Sequence, residues 1–246
     1  MANKIYGLIG AKLGHSFSKD FFSKKFAKEG ISAEYRNFEI DNIEKFSDII
    51  EYGVYGLNIT IPYKEQVIDF LDKIDPIAEK IGAVNVVKIV RNADNLETIG
   101  YNSDIVGFTE SIRPLIENHH KKALILGTGG ASKAVIEGLK LMNIKSQLVS
   151  RTKSPNTIIY SELNSNLLEE YTIIVNTTPL GMFPNTDSYP DIPYEFLSNK
   201  HLCYDLTYNP EETRFLKLSR NNGAKTKNGL EMLILQALES WRIWNM

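Results

Sequence analysis

Apolar residues along this chain keep two rhythms. In some stretches they are consecutive or fall on every second position, and in others they return every three or four. The first rhythm predicts strands over residues 5–9, 34–40, 54–59 and 84–90, because side chains alternate across a strand and a strand covered on both faces is apolar throughout. The second predicts helices over residues 17–29, 43–52 and 64–71, the first with Phe21, Phe22 and Phe26 on one face and Gly30 as its stop. A turn at Arg91-Asn92-Ala93-Asp94-Asn95 follows. A helix from Ser103 through Ile105, Phe108 and Ile112 then leads toward residues 114–118 and into a second alternating unit.

Strands of the second unit fall at residues 123–126, 146–149, 173–175 and 202–205, with a short one ending near Lys227 and a helix through Phe215 and Leu218. Between Thr152 and Tyr171 a full crossover helix is expected. Residues 157–163 instead alternate like a strand, with only a helical turn near Leu167, so this crossover is abbreviated. Residues 230–244 form a last helix, with Leu233, Ile234, Ala237, Leu238 and Trp241 as one apolar stripe expected to pack back on the first unit. The fold class is α/β.

Chemistry enters where a strand, a glycine turn and a helix follow one another. Ala123-Leu124-Ile125-Leu126 runs into Gly127-Thr128-Gly129-Gly130-Ala131-Ser132, and a helical pattern follows through Ala134, Val135, Leu139 and Met142. Glycines let the backbone turn tightly and approach a pyrophosphate, while the N–H groups and dipole of the helix N-terminus favour negative charge. Ser132 stands where the fingerprint has Gly or Ala, so a bare glycine turn is the competing reading. The next strand ends at Ser150-Arg151-Thr152, with Lys153 beside it. An NAD site places an acid there to accept from the ribose 2′-hydroxyl, whereas an NADP site offers a cation to the 2′-phosphate. The residues therefore favour NADP, against the alternative that Arg151 is a solvated surface cation.

Composition changes this picture little. The chain has 246 residues, 43% apolar and 24% charged, enough for one large core or two modest ones. With a net charge of −2 and no dense Lys/Arg block, nucleic acid is not an expected partner. Cys203 is the single cysteine and lies in an apolar run, so it reads as a small core residue in a reducing, cytoplasmic setting. Residues 4–9 are strand-like at once, and no apolar segment is long enough for a signal peptide or a membrane span. His15, His119, His120 and His201 show no metal spacing, and His119 and His120 read as solvated turn residues.

Eight ordered motifs carry a resemblance. They are H15-S-F-S18, N58-I-T-I-P-Y-K64, G82-A-V-N85, N102-S-D104, G127-T-G-G-A-S132, N176-T-T-P-L-G-M182, D205-L-T-Y-N-P210 and G229-L-E-M-L-I-L-Q236. Through them the chain resembles shikimate dehydrogenases over nearly its whole length. The resemblance implies a substrate-binding catalytic domain over residues 1–103, completed by the C-terminal helix over 230–246, and a Rossmann-like NADP-binding domain over 104–229. It implies that Ser16, Ser18, Thr60, Lys64, Asn85, Asp104, Tyr208 and Gln236 line a shikimate pocket. It also implies that Gly127, Thr128, Gly129, Gly130, Ala131, Ser132, Ser150, Arg151, Thr152, Lys153, Thr177, Leu206, Gly229 and Met232 face NADP. Lys19 and Asp20 stand where the family has a proline, Ser150 replaces an asparagine, and Lys133 replaces an arginine.

The implied reaction is the reversible, NADPH-dependent reduction of 3-dehydroshikimate to shikimate in aromatic amino acid biosynthesis. Hydride comes from the nicotinamide, so a side chain must supply the proton. Lys64 is the candidate acid, with Asp104 holding it, and the nearness of the two is implied by the resemblance. Alone, Lys64 could equally open a surface helix, and Asp104 could be an acid near a helix N-terminus. Hydroxyls and amides at the other pocket positions suit a polyhydroxylated carboxylic acid. A monomer or homodimer without a metal is expected. An NAD-dependent quinate/shikimate dehydrogenase and a non-catalytic sensor of shikimate-like ligands or nucleotide are the rival readings.

Overall fold

The computed structural model describes residues 4–14, 16–92 and 95–246. His15 of the first motif and Ala93 and Asp94 of the predicted turn lie outside the described residues. The chain divides into two compact units, Met1–Ser103 with Ala237–Met246, and Asp104–Gln236.

In the first unit the elements run β1 (Lys4–Gly10), α1 (Phe17–Glu29), β2 (Ala33–Glu39), α2 (Phe46–Glu51), β3 (Val54–Ile59), β4 (Lys73–Ile74), α3 (Pro76–Ile81), β5 (Val86–Asn92) and β6 (Asn95–Tyr101). They form a six-stranded sheet in the order β2-β1-β3-β5-β6-β4. β1 pairs parallel to β2 and β3, and β5 pairs antiparallel to β3 and β6. Alternation along β1 sends Ile9 into a core on one face, with Phe46, Leu57 and Val67, and sends Tyr6 and Leu8 into an aromatic core on the other, with Phe22, Tyr35 and Trp244. Gly56 makes room for that indole, since a Cβ there would lie 2.4 Å from Trp244 Cδ1.

The helix expected over residues 64–71 is instead a run of turns and a short 3₁₀ segment, Gln66–Phe70. Tertiary bonds override its propensity: the Lys64 carbonyl accepts from the Val84 N–H at 2.8 Å, outside any helical ladder. Two short elements, β4 and α3, and the whole of β6 are additional to the predicted set.

The second unit contains α4 (Asp104–Ile112), β7 (Lys122–Leu126), α5 (Gly130–Leu141), β8 (Lys145–Ser150), β9 (Thr157–Ile159), α6 (Ser165–Glu170), β10 (Ile173–Asn176), β11 (Leu202–Asp205), α7 (Arg214–Asn221) and β12 (Lys225–Lys227). All its strand pairs are parallel, in the order β12-β11-β10-β7-β8-β9. This is the doubly wound dinucleotide-binding order, whose direction reverses between β7 and β10. Its central strands are apolar on both faces: Leu124 and Leu126 enter one core, and Ala123 and Ile125 the other. β8 reaches β9 through only six residues, 151–156, which suffices because the two strands pair over three residues. The crossover is abbreviated, as the alternation of residues 157–163 predicts.

α8 (Leu230–Trp244) is shared, Leu230–Gln236 belonging to the second unit and Ala237–Met246 to the first. Its buried face coincides with the predicted stripe only in part: Ala237 is buried and Trp241 packs against the aromatic core of the first unit. Met232, Ala237, Ser240, Ile243 and Trp244 are buried, whereas Leu238 is 42% exposed. The helix is turned because its C-terminal half must present Ser240 to a buried polar cluster and Trp244 to Val87, whose carbonyl accepts from the indole Nε1 at 3.1 Å. His120 also departs from expectation. It is 3% exposed, its Nδ1 accepts from the Glu117 N–H at 2.9 Å, its Nε2 lies 3.2 Å from the Lys200 carbonyl, and burial holds its pKa below the usual imidazole value. Among the described residues no helix is long and apolar enough to cross a membrane.

Candidate active site

Three loops of the first unit are joined through their backbones. Ile59 N–H donates to the Asn85 carbonyl at 2.9 Å, Val84 N–H to the Lys64 carbonyl at 2.8 Å, and Asn85 N–H to the Tyr101 carbonyl at 3.0 Å. The turn carrying Thr60 and Lys64 is thus fixed to residues 82–85, and these to the end of β6. Side chains complete the frame. Asn85 Oδ1 accepts from the Ser103 N–H at 2.7 Å while its Nδ2 donates to Ser103 Oγ at 3.1 Å, and Asn102 Nδ2 donates to the Ala83 carbonyl at 2.9 Å.

Beneath this frame Asn58 Nδ2 donates to Ser240 Oγ at 2.9 Å, and Asn58 Oδ1 accepts from the Tyr35 hydroxyl at 2.8 Å. Ser18 is a hydrogen-bonding neighbour of that phenol, whose pKa burial drives far up, so the phenol stays a neutral donor. Ser16 caps α1, its Oγ accepting from the Lys19 N–H at 3.3 Å. One hydrogen-bonded frame therefore organises Ser18, Lys64 and Asn85, with Thr60 fixed by its own N–H to the Ile9 carbonyl at 2.9 Å. Asn58, Tyr35, Ser103 and Ser240 are members that sequence reasoning did not single out. Asn58 and Ser103 lie inside motifs already quoted; Tyr35 and Ser240 carry no local signal.

Asp104, Tyr208 and Gln236 belong to the second unit. Asp104 opens α4, Tyr208 is 38% exposed on the loop after β11, and Gln236 lies on α8 beside Gly107, where a Cβ would come within 3.0 Å of Gln236 Cβ.

The glycine turn lies at the switch point of the second sheet. Gly127 has φ +105°, and a Cβ there would fall 2.9 Å from Thr178 Cγ2 and 3.0 Å from Thr177 Oγ1. Only glycine brings the ends of β7 and β10 this close. Thr128, Gly129 and Gly130 are exposed at the start of the twelve-residue helix α5, and Gly129 offers no side-chain cap to its first N–H groups. Ala131 is half-buried. Ser132 turns inward, its hydroxyl donating to the Gly129 carbonyl at 2.7 Å. Thr177 donates to the Leu126 carbonyl at 2.8 Å. Gly229 is required for another close approach, since a Cβ would fall 2.0 Å from the Leu206 carbonyl oxygen. Met232 belongs mainly to the core, at 8% exposure.

At the end of β8, Ser150 Oγ accepts from the Thr152 N–H at 3.2 Å and shapes the turn that exposes Arg151. Among the described residues Arg151 makes no hydrogen bond or ion pair; its charge is felt by the nearby Tyr160 phenol, whose pKa it lowers against the larger upward push of burial. Lys153, by contrast, pairs with Glu162. Behind the loops Asp205 is fully buried. Its Oδ1 accepts from Asn176 Nδ2 and the Thr207 N–H, both at 3.0 Å, and its Oδ2 from Thr213 Oγ1 at 2.6 Å. Burial outweighs these bonds and pushes its carboxyl up to about 6. Burial also pushes the Cys203 thiol up to about 12, which leaves it an unreactive core residue. Among the described residues no group of three His, Cys, Asp or Glu side chains could hold a metal ion.

Comparison with known proteins agrees with this geometry. The model of the shikimate dehydrogenase substrate-binding domain matches residues 8–87. A shikimate dehydrogenase (NADP(+)) from Caldicellulosiruptor saccharolyticus is 37% identical, over 98% of this chain and 91% of the relative. The crystal structure of a chorismate mutase/shikimate 5-dehydrogenase fusion protein from Clostridium acetobutylicum superposes with TM-score 0.86 at 38% identity, covering 100% of this chain and 92% of that one. A quinate dehydrogenase from Corynebacterium glutamicum, solved in complex with NAD, superposes with TM-score 0.87 at 25% identity, covering 98% and 93%. With a substrate-domain match and relatives of this identity along nearly its whole length, the chain belongs to the shikimate dehydrogenase family.

Proposed function

We propose that this protein is an NADP-dependent shikimate dehydrogenase, reducing 3-dehydroshikimate reversibly to shikimate in aromatic amino acid biosynthesis. Its setting is the cytoplasm, and it works as a monomer or homodimer on small molecules. The observation that carries the reading is the joining of the Lys64 turn to Asn85 and Ser103, which groups an ammonium-bearing residue with the hydroxyls and amides a polyhydroxylated acid needs. Residues 1–103 with 230–246 are assigned to substrate, and 104–229 to cofactor.

Ser16 and Ser18 donate to the substrate carboxylate, and Thr60, Asn85 and Gln236 to its ring hydroxyls, with Tyr208 lining the pocket. Lys64 gives the proton to the forming alkoxide in reduction and takes it back in oxidation, and Asp104 holds the ammonium toward that oxygen. A pocket of this kind rejects analogues lacking a hydroxyl, because its own polar groups would be left unpaired.

The tight turn at Gly127, with φ +105°, and the start of α5, which has no side-chain cap, suit a pyrophosphate. Gly127 to Ser132 with Thr177, Leu206, Gly229 and Met232 hold the dinucleotide, and Ser150 to Lys153 hold its adenosine end, where Arg151 offers a cation to a 2′-phosphate. Bound NADPH supplies the hydride.

The test is NADPH consumption with 3-dehydroshikimate, repeated with NADH and with 3-dehydroquinate. Oxidation of NADPH by 3-dehydroshikimate alone is the expected result. Two observations favour a second reading, an NAD-dependent quinate/shikimate dehydrogenase: the similarity to the NAD-bound quinate enzyme and the engagement of Lys153 by Glu162. A preference for NADH and 3-dehydroquinate would establish it. Silence in every combination would leave a sensor.

A further inference from the structure

The cofactor loop is paired with an acid, Glu162, to which the proposed activity gives no role. β8 and β9 pair with Ser150 opposite Ile159, so both strands end level and the residues that follow each emerge at the same edge of the sheet. One of these stretches carries Arg151 and Lys153. The other is the 3₁₀ turn Tyr160–Glu162. Glu162 is fixed there by its own backbone contact, Oε2 accepting from the Ile159 N–H at 3.0 Å, while Oε1 pairs with Lys153 Nζ. Both contacts hold its carboxyl below the usual carboxylate range. An ionised acid therefore stands beside one of the two cations of this loop and leaves the other unpaired among the described residues.

We propose that Glu162 is a specificity-determining residue that lowers the preference for NADP over NAD by holding Lys153 and opposing the 2′-phosphate. The inference rests on the assignment of the Arg151 loop to the adenosine end of the cofactor. β8 ends without the acid that marks an NAD site. The acid arrives from the next turn in the chain, where it pairs with Lys153, the loop's second cation. Phosphate must draw Lys153 away from Glu162 and tolerate the carboxylate's charge; NAD does neither.

Glu162→Gln isolates this effect, because the amide oxygen still accepts from the Ile159 N–H while the negative charge that holds Lys153 is removed. Dissociation constants for NADPH and NADH are measured by cofactor fluorescence for the parent, Glu162→Gln, Lys153→Ala and the double variant, with melting temperatures recorded for each. Glu162→Gln should tighten NADPH by about two- to fivefold, the scale of a screened interaction between exposed charges, and leave NADH nearly unchanged. Lys153→Ala should cost little NADPH affinity in the parent and remove most of the gain in the E162Q background. An unchanged NADPH constant in Glu162→Gln, or an equal change for NADH, overturns the inference. Arg151→Ala separates the two levels. Selective loss of NADPH affinity there with a silent Glu162→Gln sinks the inference alone, whereas equal loss of NADPH and NADH sinks the cofactor assignment as well.

Discussion

Asp205 should give the protein a pH dependence of stability opposite in sign to that of its surface carboxylates. In the folded chain its carboxyl titrates near 6, raised from 3.8 by burial. In the unfolded chain it returns to about 3.9. Between these values the folded state holds a proton that the unfolded state has released, so stability falls as pH rises through this window and the loss is complete above the folded value. A separation of about two units corresponds to ~3 kcal/mol. Glu34, Asp72 and Glu162 act the other way. Their folded values are lowered by hydrogen bonds or ion pairs, so what they contribute is present above the ordinary carboxylate range and is lost on acidification.

The measurement must therefore be a difference. Urea unfolding of the parent and of Asp205→Asn, followed at a series of pH values across the window, cancels the groups common to both. Asn cannot titrate, and the rearranged bonds to Thr207, Thr213 and Asn176 add an offset that does not vary with pH. The parent should lose stability relative to Asp205→Asn as pH rises from about 4 to about 6 and run parallel to it above that. Exchange of the Thr207 amide, which donates to Asp205 Oδ1 at 3.0 Å, gives a local probe if the two units unfold separately. A difference profile without slope, or one rising with pH, would show that the three donors, and not burial, govern this carboxylate.

The site itself makes three further expectations. Lys64→Ala should lower turnover by roughly 10²–10⁴-fold, the usual contribution of a positioned acid or base, with a much smaller change in the Michaelis constant for shikimate; turnover within a few-fold of the parent would refute the role. Replacing Ser16 and Ser18 together with alanine should raise the Michaelis constant for shikimate and spare that for NADP, whereas equal losses would point to misfolding or another ligand orientation. Gly127→Ala must accept φ +105° and displace Thr177 or Thr178, so calorimetry should show destabilisation of about 1–3 kcal/mol and titration should show weaker NADP binding; an unchanged melting temperature would mean that the turn relaxes.

Much of the fold can be read along the chain because each signal is local. Phe17–Glu29 has its serine cap, its phenylalanine face and Gly30 at φ 64°, and Leu230–Trp244 is periodic throughout. α3 carries equally plain signals. Asp75 accepts from the Ile77 and Ala78 N–H groups, Pro76 takes the first position, and Gly82 ends the helix at φ 68°. Its six residues are too short to show a period, so a reading led by hydropathy passes over it. The 64–71 segment fails for the opposite reason. Its pattern is helical, but Tyr63 donates its hydroxyl to the Ile40 carbonyl at 2.7 Å and Lys64 accepts from Val84, and these contacts lie beyond any local window.

The candidate site divides along the same line. A glycine turn is contiguous, so its strain, its helix and its neighbouring strand can be inferred together, and Gly127 does meet Thr177 and Thr178 where the two sheet halves diverge. Nothing in the sequence joins Tyr35 to Asn58 or Ser240 to Asn58, because those bonds span 23 and 182 residues and the second depends on how α8 is turned. Leu238 shows the cost of assuming otherwise. Hydropathy puts it on the buried stripe, yet the helix buries Ser240, whose hydroxyl accepts from Asn58 Nδ2 at 2.9 Å and lies 3.3 Å from Ser103 Oγ, because those buried polar groups need a partner more than the core needs another leucine. Lys153 and Glu162 make the same point at the cofactor end. Only the register that sets Ser150 opposite Ile159 brings the two charges to one edge, so the pairing of Lys153 with Glu162 cannot be read from either stretch alone.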